Sequence, residues 1–468
     1  MDDAELHRPA WVAGRPIGAE QLIEHEWLVT NGLGGYASGT IGGVMTRKYH
    51  GYLIASLPAP LGRLVMLQNL HASLLLPDGR EVALSGEERL PERLDVPAER
   101  TLTDFRLELG LPVWEYDVDG VRLLKRVLMP HGQNTVHVAY RLLGRAPTGC
   151  RLRLRPFVHF RSYEAAVTTP QLVPHCVVHD DSRVELRSRT LLPELRMTCG
   201  EPDARFTADE QNVSEVVYRL ERDRGYEWRG VVWSPGFFEL PLPGDAERAL
   251  AASTEPWEVL DAEPPHEALR VEQTRRRDLL QRAGPLGRDR VTARLTLAAD
   301  AFIIEPAGRR EDEARARAAG DEARTIIAGY HWFTDWGRDT MISLEGLTLC
   351  TGRHREAGYI IRTFAHHVRD GLIPNMFPDG ASEGLYHTAD ATLWFFHAVH
   401  RFVQATGNRT TLRAMLPRLR DIVDRHIAGT RFGIGVDPAD GLLVQGAEGY
   451  QLTWMDAKVD DWVVTPRR

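Results

Sequence analysis

The feature that most constrains the fold is a single change of hydrophobic period along the chain. Between residues 20 and 262, apolar residues mostly recur at every second position, as in Cys150-Arg151-Leu152-Arg153-Leu154-Arg155. Such alternation puts apolar side chains on one face of a strand and arginines on the other. Many short strands without intervening helices predict a large antiparallel β-sandwich. Similar runs, separated by turn-forming residues, lie at 121–129, 135–143, 183–190 and 214–220.

The second half of the chain has a helical period instead. Apolar residues recur there at three- and four-residue steps, and Thr388 and Gly407 are placed to cap and to end one of the helices. In that helix the apolar steps are Leu393, Phe396, Val399 and Val403. The helical segments are 289–304, 338–351, 354–369, 388–405 and 409–428.

This change of period divides the chain into three parts. We expect a β-sandwich domain over 1–262, a charged helical linker over 263–288 and a helical domain over 289–468. The mixed-charge run 307–324 is typical of an exposed loop or helix. Long polar and aromatic loops between the helices favour a helical toroid that carries functional residues at one rim.

Composition excludes several classes of function. The chain has 468 residues with 57 Lys and Arg against 65 Asp and Glu, a formal charge of −8, which argues against binding nucleic acid through phosphates. Since it has neither an apolar run of membrane-spanning length nor an apolar leader, we expect no membrane contact and a cytoplasmic location. The cysteines form no zinc pattern, and we expect buried thiols at Cys150, Cys176, Cys199 and Cys350.

Metal and cofactor sites are not expected either. The histidines of the helical region show no spacing typical of metal ligands, which predicts no metal: they are His366, His367, His387, His397 and His400. The glycines after Trp27 are spaced wrongly for a dinucleotide fingerprint and predict tight turns between strands. A phosphate loop and a nucleophile elbow are both missing from the sequence.

The densest cluster of functional residue types is Tyr330–Thr340, YHWFTDWGRDT, directly before a helix. Its charged and aromatic residues cannot all be buried cheaply, and they suit a wet cavity for sugar rings and hydroxyls. The alternative is a helix cap, with Asp335 as N-cap and Arg338 ion-paired to Asp339.

Two further clusters contain carboxylates beside aromatic residues. In Gln451–Lys458, Asp456 lies between Trp454 and Lys458, so it suits either a general acid or an ordinary surface position. The third cluster runs from Gly371 through Asn375 and Asp379 to Tyr386–Ala391 and Trp394. Its Asp390 lies in the first turn of a helix, where a carboxylate is electrostatically favourable even if it has no function.

Taken together, these blocks resemble the bacterial and archaeal type of glycogen debranching enzyme, the amylo-α-1,6-glucosidase family. The resemblance rests on five ordered motifs: NGLGGYASGTIGG with RKYHGYL, WFTDWGRDTMISL, GLIPNMFPD, YHTADATLWFF and QLTWMDAKVDDWVVTPR. It implies an N-terminal β-sandwich followed by an (α/α)6 barrel that hydrolyses α-1,6-linked glucose at the branch points of glycogen or another branched α-glucan, without a metal or cofactor.

The resemblance also implies roles for individual residues. Asp456 would be the general acid of an inverting reaction, in which a second carboxylate about 6.5–9.5 Å away activates water. The residues implied to bind substrate are Trp336, Arg338, Asp339, Asn375, Asp390, Trp394, Trp454 and Lys458.

The chain departs from the family's pattern at its carboxyl end. Six helical hairpins need more helices than the five predicted segments provide, and no residue matches the family's general base, typically a glutamate. We therefore expect a truncated chain that holds the N-terminal half of the barrel and has impaired catalysis. The alternatives are a related toroid α-glucosidase, glucoamylase or phosphorylase, and a non-catalytic glucan-binding protein.

Overall fold

The chain divides into two compact units. The computed structural model describes residues 18–91, 93–144, 147–169, 175–188, 191–244, 246–455, 458–459 and 462–463. The first unit comprises Met1–Leu57 and Arg63–Asp278, and the second comprises Pro58–Gly62 and Leu279–Arg468. Among the described helices, none combines the length and apolar character that crossing a bilayer requires.

The first unit is built from two β-sheets. Its short helices are α1 (Ala19–Glu24), α2 (Ala98–Thr101), α3 (Arg219–Asp223) and α4 (Trp257–Ala262), and α5 (Pro265–Arg282) follows them. The strands are β1 (Glu26–Thr30), β2 (Tyr36–Thr40), β3 (Gly51–Leu57), β4 (Gly62–Leu75), β5 (Glu81–Ala83), β6 (Glu87–Arg89), β7 (Arg93–Asp95), β8 (Leu102–Glu108), β9 (Leu111–Val118), β10 (Val121–Leu128), β11 (Thr135–Leu143), β12 (Arg151–Ser162), β13 (His175–Asp180), β14 (Arg183–Arg187), β15 (Leu195–Thr198), β16 (Arg205–Val217), β17 (Arg229–Pro241) and β18 (Arg248–Ser253).

Within the described residues, one sheet has the order β1-β2-β3-β4-β12-β17-β16-β6-β7, with β5 beside β4, and the other has the order β13-β14-β15-β18-β11-β10-β9-β8. The alternating run predicted the behaviour of β12 correctly, because Leu152 and Leu154 are fully buried while Arg153 pairs with Glu239 of antiparallel β17. The antiparallel sheets that the alternation predicted are therefore present. One predicted strand, 214–220, is too long, since β16 ends at Val217 and a helical turn follows.

The core of the first unit lies between its two sheets. Trp27 of β1 meets Trp114 of β9 edge to face, with ring centroids 5.5 Å apart. Lys125 of β10 is buried beside them and donates a hydrogen bond of 2.8 Å to the Tyr52 hydroxyl of β3. Its ammonium also lies 4.7 Å from the Trp114 ring centroid. Aromatic faces and one hydroxyl thus compensate a buried cation at the contact between the sheets.

The glycine-rich segment after β1 forms a tight turn. The fully buried Asn31 side chain accepts a hydrogen bond from the Leu33 amide and donates to the Gln133 carbonyl and to Oδ1 of Asn134, at 2.9–3.0 Å. A Cβ on Gly35 would lie 2.7 Å from Nδ2 of Asn31, so only glycine fits beside this amide. This part of the NGLGG motif is therefore structural.

Replacing Asn31 tests that conclusion. Asn31→Ala removes three side-chain hydrogen bonds of a buried residue, each worth about 1 kcal/mol, so we expect the free energy of unfolding to fall by about 3 kcal/mol. Urea denaturation followed by tryptophan fluorescence measures the change. The control is Asn212→Ala, at an exposed side chain of β16, which should change stability by less than about 0.5 kcal/mol. Equal losses in both variants would contradict the structural role.

The second unit is mainly helical. Its helices are α6 (Arg290–Asp300), α7 (Arg310–Ala318), α8 (Gly337–Leu344), α9 (His354–His366), α10 (Asp390–Thr406) and α11 (Arg409–Ala428), with a π-helical turn at Glu345–Leu349 and 3-10 turns at Gly284–Gly287 and Arg431–Gly433. Short antiparallel pairs join β19 (Ile303–Ile304) to β20 (Thr325–Ile326), β21 (Gly435–Val436) to β22 (Leu443–Val444) and β23 (Lys458–Val459) to β24 (Trp462–Val463).

The predicted capping residues account for one end of α10 but not for the other. Gly407, at a φ of 66°, ends α10, and the Asn408 side chain caps α11 by accepting from the Thr411 amide at 2.9 Å. The Thr388 hydroxyl accepts a long bond of 3.4 Å from the Ala391 amide at the start of α10. Gly407 therefore ends α10 as predicted, whereas the predicted cap Thr388 is wrong: Ala389 holds the N-cap position without a side-chain cap, and the Thr388 hydroxyl donates to Asp390.

Other predictions for individual side chains are wrong. Leu393 is 47% exposed, although Val399 of the same predicted stripe is buried and Phe396 and Val403 pack against the core. The run 307–324 contains helix α7, but it is not simply an exposed segment. Arg309 and Asp312 are buried, and their charges are compensated by ion pairs. Of the four cysteines predicted to be buried, Cys350 is exposed and Cys176 is only half-buried.

Candidate active site

The candidate site begins where three extended segments of the second unit lie side by side. Trp336 has extended backbone angles and forms an antiparallel bridge to Met376, which in turn bridges to Leu385. The Gly337 amide donates to the Asn375 carbonyl at 2.7 Å, and the Phe377 amide donates to the Asp335 carbonyl at 3.2 Å. The first and third sequence clusters are thereby adjacent.

An ion pair joins the first turns of α8 and α10. Nε of Arg338 donates to both carboxylate oxygens of Asp390, at 2.9 and 2.8 Å. The Thr388 hydroxyl donates to Oδ1 of Asp390 at 3.0 Å and lies 3.4 Å from Nη2 of Arg338. The Arg338 side chain is 8% exposed and that of Asp390 is 21% exposed. The pair is thus mostly shielded, with its carboxylate nearer to solvent.

These contacts decide between local alternatives that the sequence left open. The helix-cap alternative paired Arg338 with its neighbour Asp339, and the structure shows that Arg338 also has a distant ion-pair partner, Asp390. Asp335 is not the N-cap of α8, since Trp336 holds that position without a side-chain cap. The Asp335 carboxylate instead accepts from the Thr325 hydroxyl at 2.9 Å and pairs with Arg309 at 2.7 Å. Sequence analysis missed Arg309, Thr325 and the bridging role of Thr388.

Aromatic side chains near these segments offer faces for stacking. Trp336 is half-buried and contacts Phe333 edge to face, with ring centroids 6.1 Å apart. Phe333 itself is 39% exposed. On α10, Trp394 is partly exposed and packs against His397. Apolar ring faces beside a fixed Arg338–Asp390 pair are suited to a polyhydroxylated ring, which has apolar C–H faces and polar edges.

Asn375 adds an acceptor to this region. Its side chain is buried, and within the described part of the chain its Oδ1 has no hydrogen-bond partner. An unsatisfied buried amide oxygen costs about 1–3 kcal/mol of stability. Because this oxygen belongs to the segment that faces Gly337, it indicates a place where a ligand can bind. A hydroxyl of a bound ligand would satisfy it.

The second sequence cluster is only partly described. Asp456 lies outside the described residues, and of Lys458 only the backbone, at the start of β23, is described. Trp454 is 66% exposed. Leu452 is fully buried in a small core with Leu372 and Tyr386, and its carbonyl accepts from the Ala389 amide at 2.8 Å. The second cluster therefore runs beside the residue that precedes Asp390.

Comparison with known proteins identifies the class. Residues 25–248 match the family model described as glycogen debranching enzyme N terminal, and residues 297–468 match the one described as amylo-alpha-1,6-glucosidase. These matches place the chain among the glycoside hydrolases. Both models together cover most of the sequence in the expected order. The chain belongs to the glycogen debranching enzyme family.

Individual relatives are more distant. The glycogen debranching enzyme of Saccharomyces cerevisiae is 44% identical over 89 residues, which are 18% of this chain and 6% of the yeast protein. A bacterial glucoamylase complexed with acarbose has 9% identity and a TM-score of 0.35, over 86% of this chain and 58% of that one. A putative kojibiose phosphorylase from the human microbiome has 9% identity and a TM-score of 0.36, over 87% and 58%. The chain thus spans less than two thirds of each relative.

The close approach at Gly337 provides a test of the site's geometry. A Cβ at this position would lie 2.1 Å from the Pro374 carbonyl oxygen, so Gly337→Ala must push the two segments apart. We expect a destabilisation of about 1–3 kcal/mol, typical of overpacking, and a changed emission from neighbouring Trp336. Thermal denaturation and fluorescence measure both effects.

The matched control is Gly346→Ala in the turn after α8. A Cβ there meets nothing within 4 Å, so this variant should be neutral or slightly stabilising. If Gly337→Ala behaved like Gly346→Ala, the described approach of the two segments would be wrong.

Proposed function

We propose that the chain acts on branched α-glucan as an inverting α-1,6-glucosidase that releases the glucose stubs at branch points. The observation that carries the proposal is the Arg338–Asp390 pair, held beside Trp336 and Asn375 in a chain of the glycogen debranching enzyme family. A guanidinium and a carboxylate in fixed geometry supply donors and acceptors to vicinal hydroxyls of one glucose unit. Trp336 supplies the stacking face.

The remaining substrate contacts are assigned from the motifs and their places in the chain. In the proposal Asp339 follows Arg338 on α8, Asn375 accepts from a sugar hydroxyl, and Trp394 extends the binding surface along α10. Trp454 and Lys458, both in the second cluster, are proposed to bind the substrate next to the glycosidic bond that is cleaved. The helices of the second unit would form part of an (α/α)6 barrel over 289–468. The β-sandwich would end at residue 262 and the linker would run from 263 to 288.

Asp456 is proposed as the general acid. It follows Leu452 by four residues, and the bond from the Ala389 amide to the Leu452 carbonyl supports its placement near Asp390. Protonation of the glycosidic oxygen by a carboxylic acid lets the glucose leave as an oxocarbenium-like species. Inversion then needs water from the opposite face, activated by a second carboxylate to which no residue is assigned here. The reaction as proposed needs no metal or cofactor.

Replacing Asp390 tests the binding part of the proposal. Asp390→Asn removes the charge opposite Arg338, so we expect the affinity for isomaltose and for 1-deoxynojirimycin to fall at least tenfold, about 1.4 kcal/mol. Isothermal titration calorimetry measures both affinities.

Its matched control is Asp321→Asn, which breaks another two-bond pair of the same unit. Asp321 pairs with Arg362 of α9, with 2.7 Å between Nη2 and Oδ1. This variant should lose stability but keep ligand affinity. Full affinity in Asp390→Asn, or an equal loss in Asp321→Asn, would contradict the proposed binding site.

The chemical step is tested with Asp456→Asn on a branched limit dextrin. Loss of a general acid lowers rates by about a hundredfold or more, so whatever glucose release the wild-type chain shows without an assigned base should nearly stop, while glucan binding persists. ¹H NMR of the first product should show the β-anomer in the wild-type reaction, with or without added phosphate.

The control for the chemical test is Asp440→Asn, an exposed aspartate that should leave turnover unchanged. Initial α-glucose would exclude inversion, a phosphate requirement would favour a phosphorylase, and binding without release from the wild-type chain would favour a glucan-binding role.

A further inference from the structure

A buried arginine lies behind the candidate site, on the side of the Asp335–Gly337 segment away from Trp336. Arg309 is 4% exposed, and its guanidinium lies 3.9 Å from the Phe377 ring centroid. Its Nη2 lies 2.7 Å from Oδ2 of Asp335, and its Nε lies 3.5 Å from Oδ2 of Asp312. With His367, these residues are named the arginine cluster: Arg309, Asp312, Asp335, His367 and Phe377.

The cluster connects the two segments that carry the site. Asp335 bridges to Ile327 and the next residue, Trp336, bridges to Met376, so this segment is extended and its successive side chains point to opposite faces. The Asp335 carboxylate therefore points toward Arg309 while the Trp336 indole points away. Phe377 donates its amide to the Asp335 carbonyl and offers its ring to Arg309. One guanidinium thus contacts both segments.

The other side of the cluster is also fixed. Nε2 of His367 lies 2.7 Å from Oδ2 of Asp312, and the His367 ring packs against Phe377 with centroids 4.9 Å apart. Burial alone would raise the pKa of the Asp312 carboxyl, but the hydrogen bond from His367 and the charge of Arg309 lower it below its usual range. Arg309 is therefore flanked by two carboxylates and by an aromatic ring that a second ring supports.

We propose that Arg309 is a positioning residue of the site: by binding Asp335 and stacking on Phe377, it sets the place of Trp336 relative to Asn375. It does not contact the Arg338–Asp390 pair in the described contacts, and it acts through the backbone of residues 335–337. A planar guanidinium suits this role, because its face can lie over an aromatic ring while its charge stays within ion-pair distance of a carboxylate. Lysine can retain the charge but not both contacts.

The test compares two buried arginines of the second unit. Arg309→Lys keeps the charge but loses the stack on Phe377 and moves the cation away from Asp335. Arg353→Lys is the matched control, since Arg353 is equally buried and pairs with Asp300 of α6 at 2.6 Å. Both variants should lose stability in thermal denaturation. A change at the site that appears only in Arg309→Lys therefore does not come from a general loss of packing.

The readout is ¹⁹F NMR of protein labelled with 5-fluorotryptophan. The chain has 11 tryptophans, and the Trp336 signal is assigned by its disappearance in Trp336→Phe. We expect Arg309→Lys to shift or broaden this signal, while Arg353→Lys leaves it in place. The double variant Arg309→Met/Asp335→Asn, which leaves no unpaired charge between these two positions, should fold and still show the displaced signal.

A second readout concerns ligand affinity and rests on the function proposed above. Arg309→Lys should weaken isomaltose binding on the order of tenfold, as expected for a misplaced binding group, and Arg353→Lys should not. An unmoved Trp336 signal in both Arg309 variants overturns the positioning role. If the wild-type chain bound no sugar, the proposed function would fail, while the NMR comparison would still decide the role of Arg309.

Discussion

The ion pair between Arg338 and Asp390 is the interaction on which the second unit's site depends. The N-terminal turn of a helix favours a carboxylate and disfavours a cation. Asp390 is therefore in a favourable place at the start of α10, whereas Arg338 at the start of α8 is not. The carboxylate offsets this cost for Arg338, and the two nearly equal contacts of 2.9 and 2.8 Å hold the helix starts together. The same groups that give the site its polarity thereby fix its framework.

Around that pair, backbone contacts leave little freedom. Gly337 approaches Pro374 so closely that a side chain would collide, and its amide is used in a bond to Asn375. The Asn375 amide oxygen, in contrast, is buried without a partner within the described ranges. A rigid backbone beside an unsatisfied acceptor is typical of a preformed binding site, since the cost of the unmet hydrogen bond is recovered only when a ligand supplies the donor.

Local sequence patterns predicted the elements better than the contacts. The segments 354–369 and 409–428 correspond to α9 and α11 because periodicity and capping are local properties. The sequence offered Asp339, one residue away, as one possible partner of Arg338, but it gave no sign of the pairing with Asp390, 52 residues away, because no local signal specifies such a contact. The burial of Arg309 was missed for the same reason, since a mixed-charge run looks solvated until distant Asp335 and Phe377 enclose one of its members. The general acid proposed from the motif, Asp456, stays a prediction.

The amide pair formed by Asn31 and Asn134 has a consequence for biosynthesis. These two side chains are 103 positions apart, and the hydrogen bonds of Asn31 reach Gln133 as well. During translation the β1–β2 hairpin is complete at Thr40, after less than about a tenth of this distance, yet the Asn31 side-chain amide lacks its two distant acceptors until Gln133 and Asn134 leave the ribosome. Closing so long a loop is slow compared with hairpin formation. The donor groups of the Asn31 side chain in the nascent hairpin therefore stay hydrated until the segment that contains Asn134 has been made.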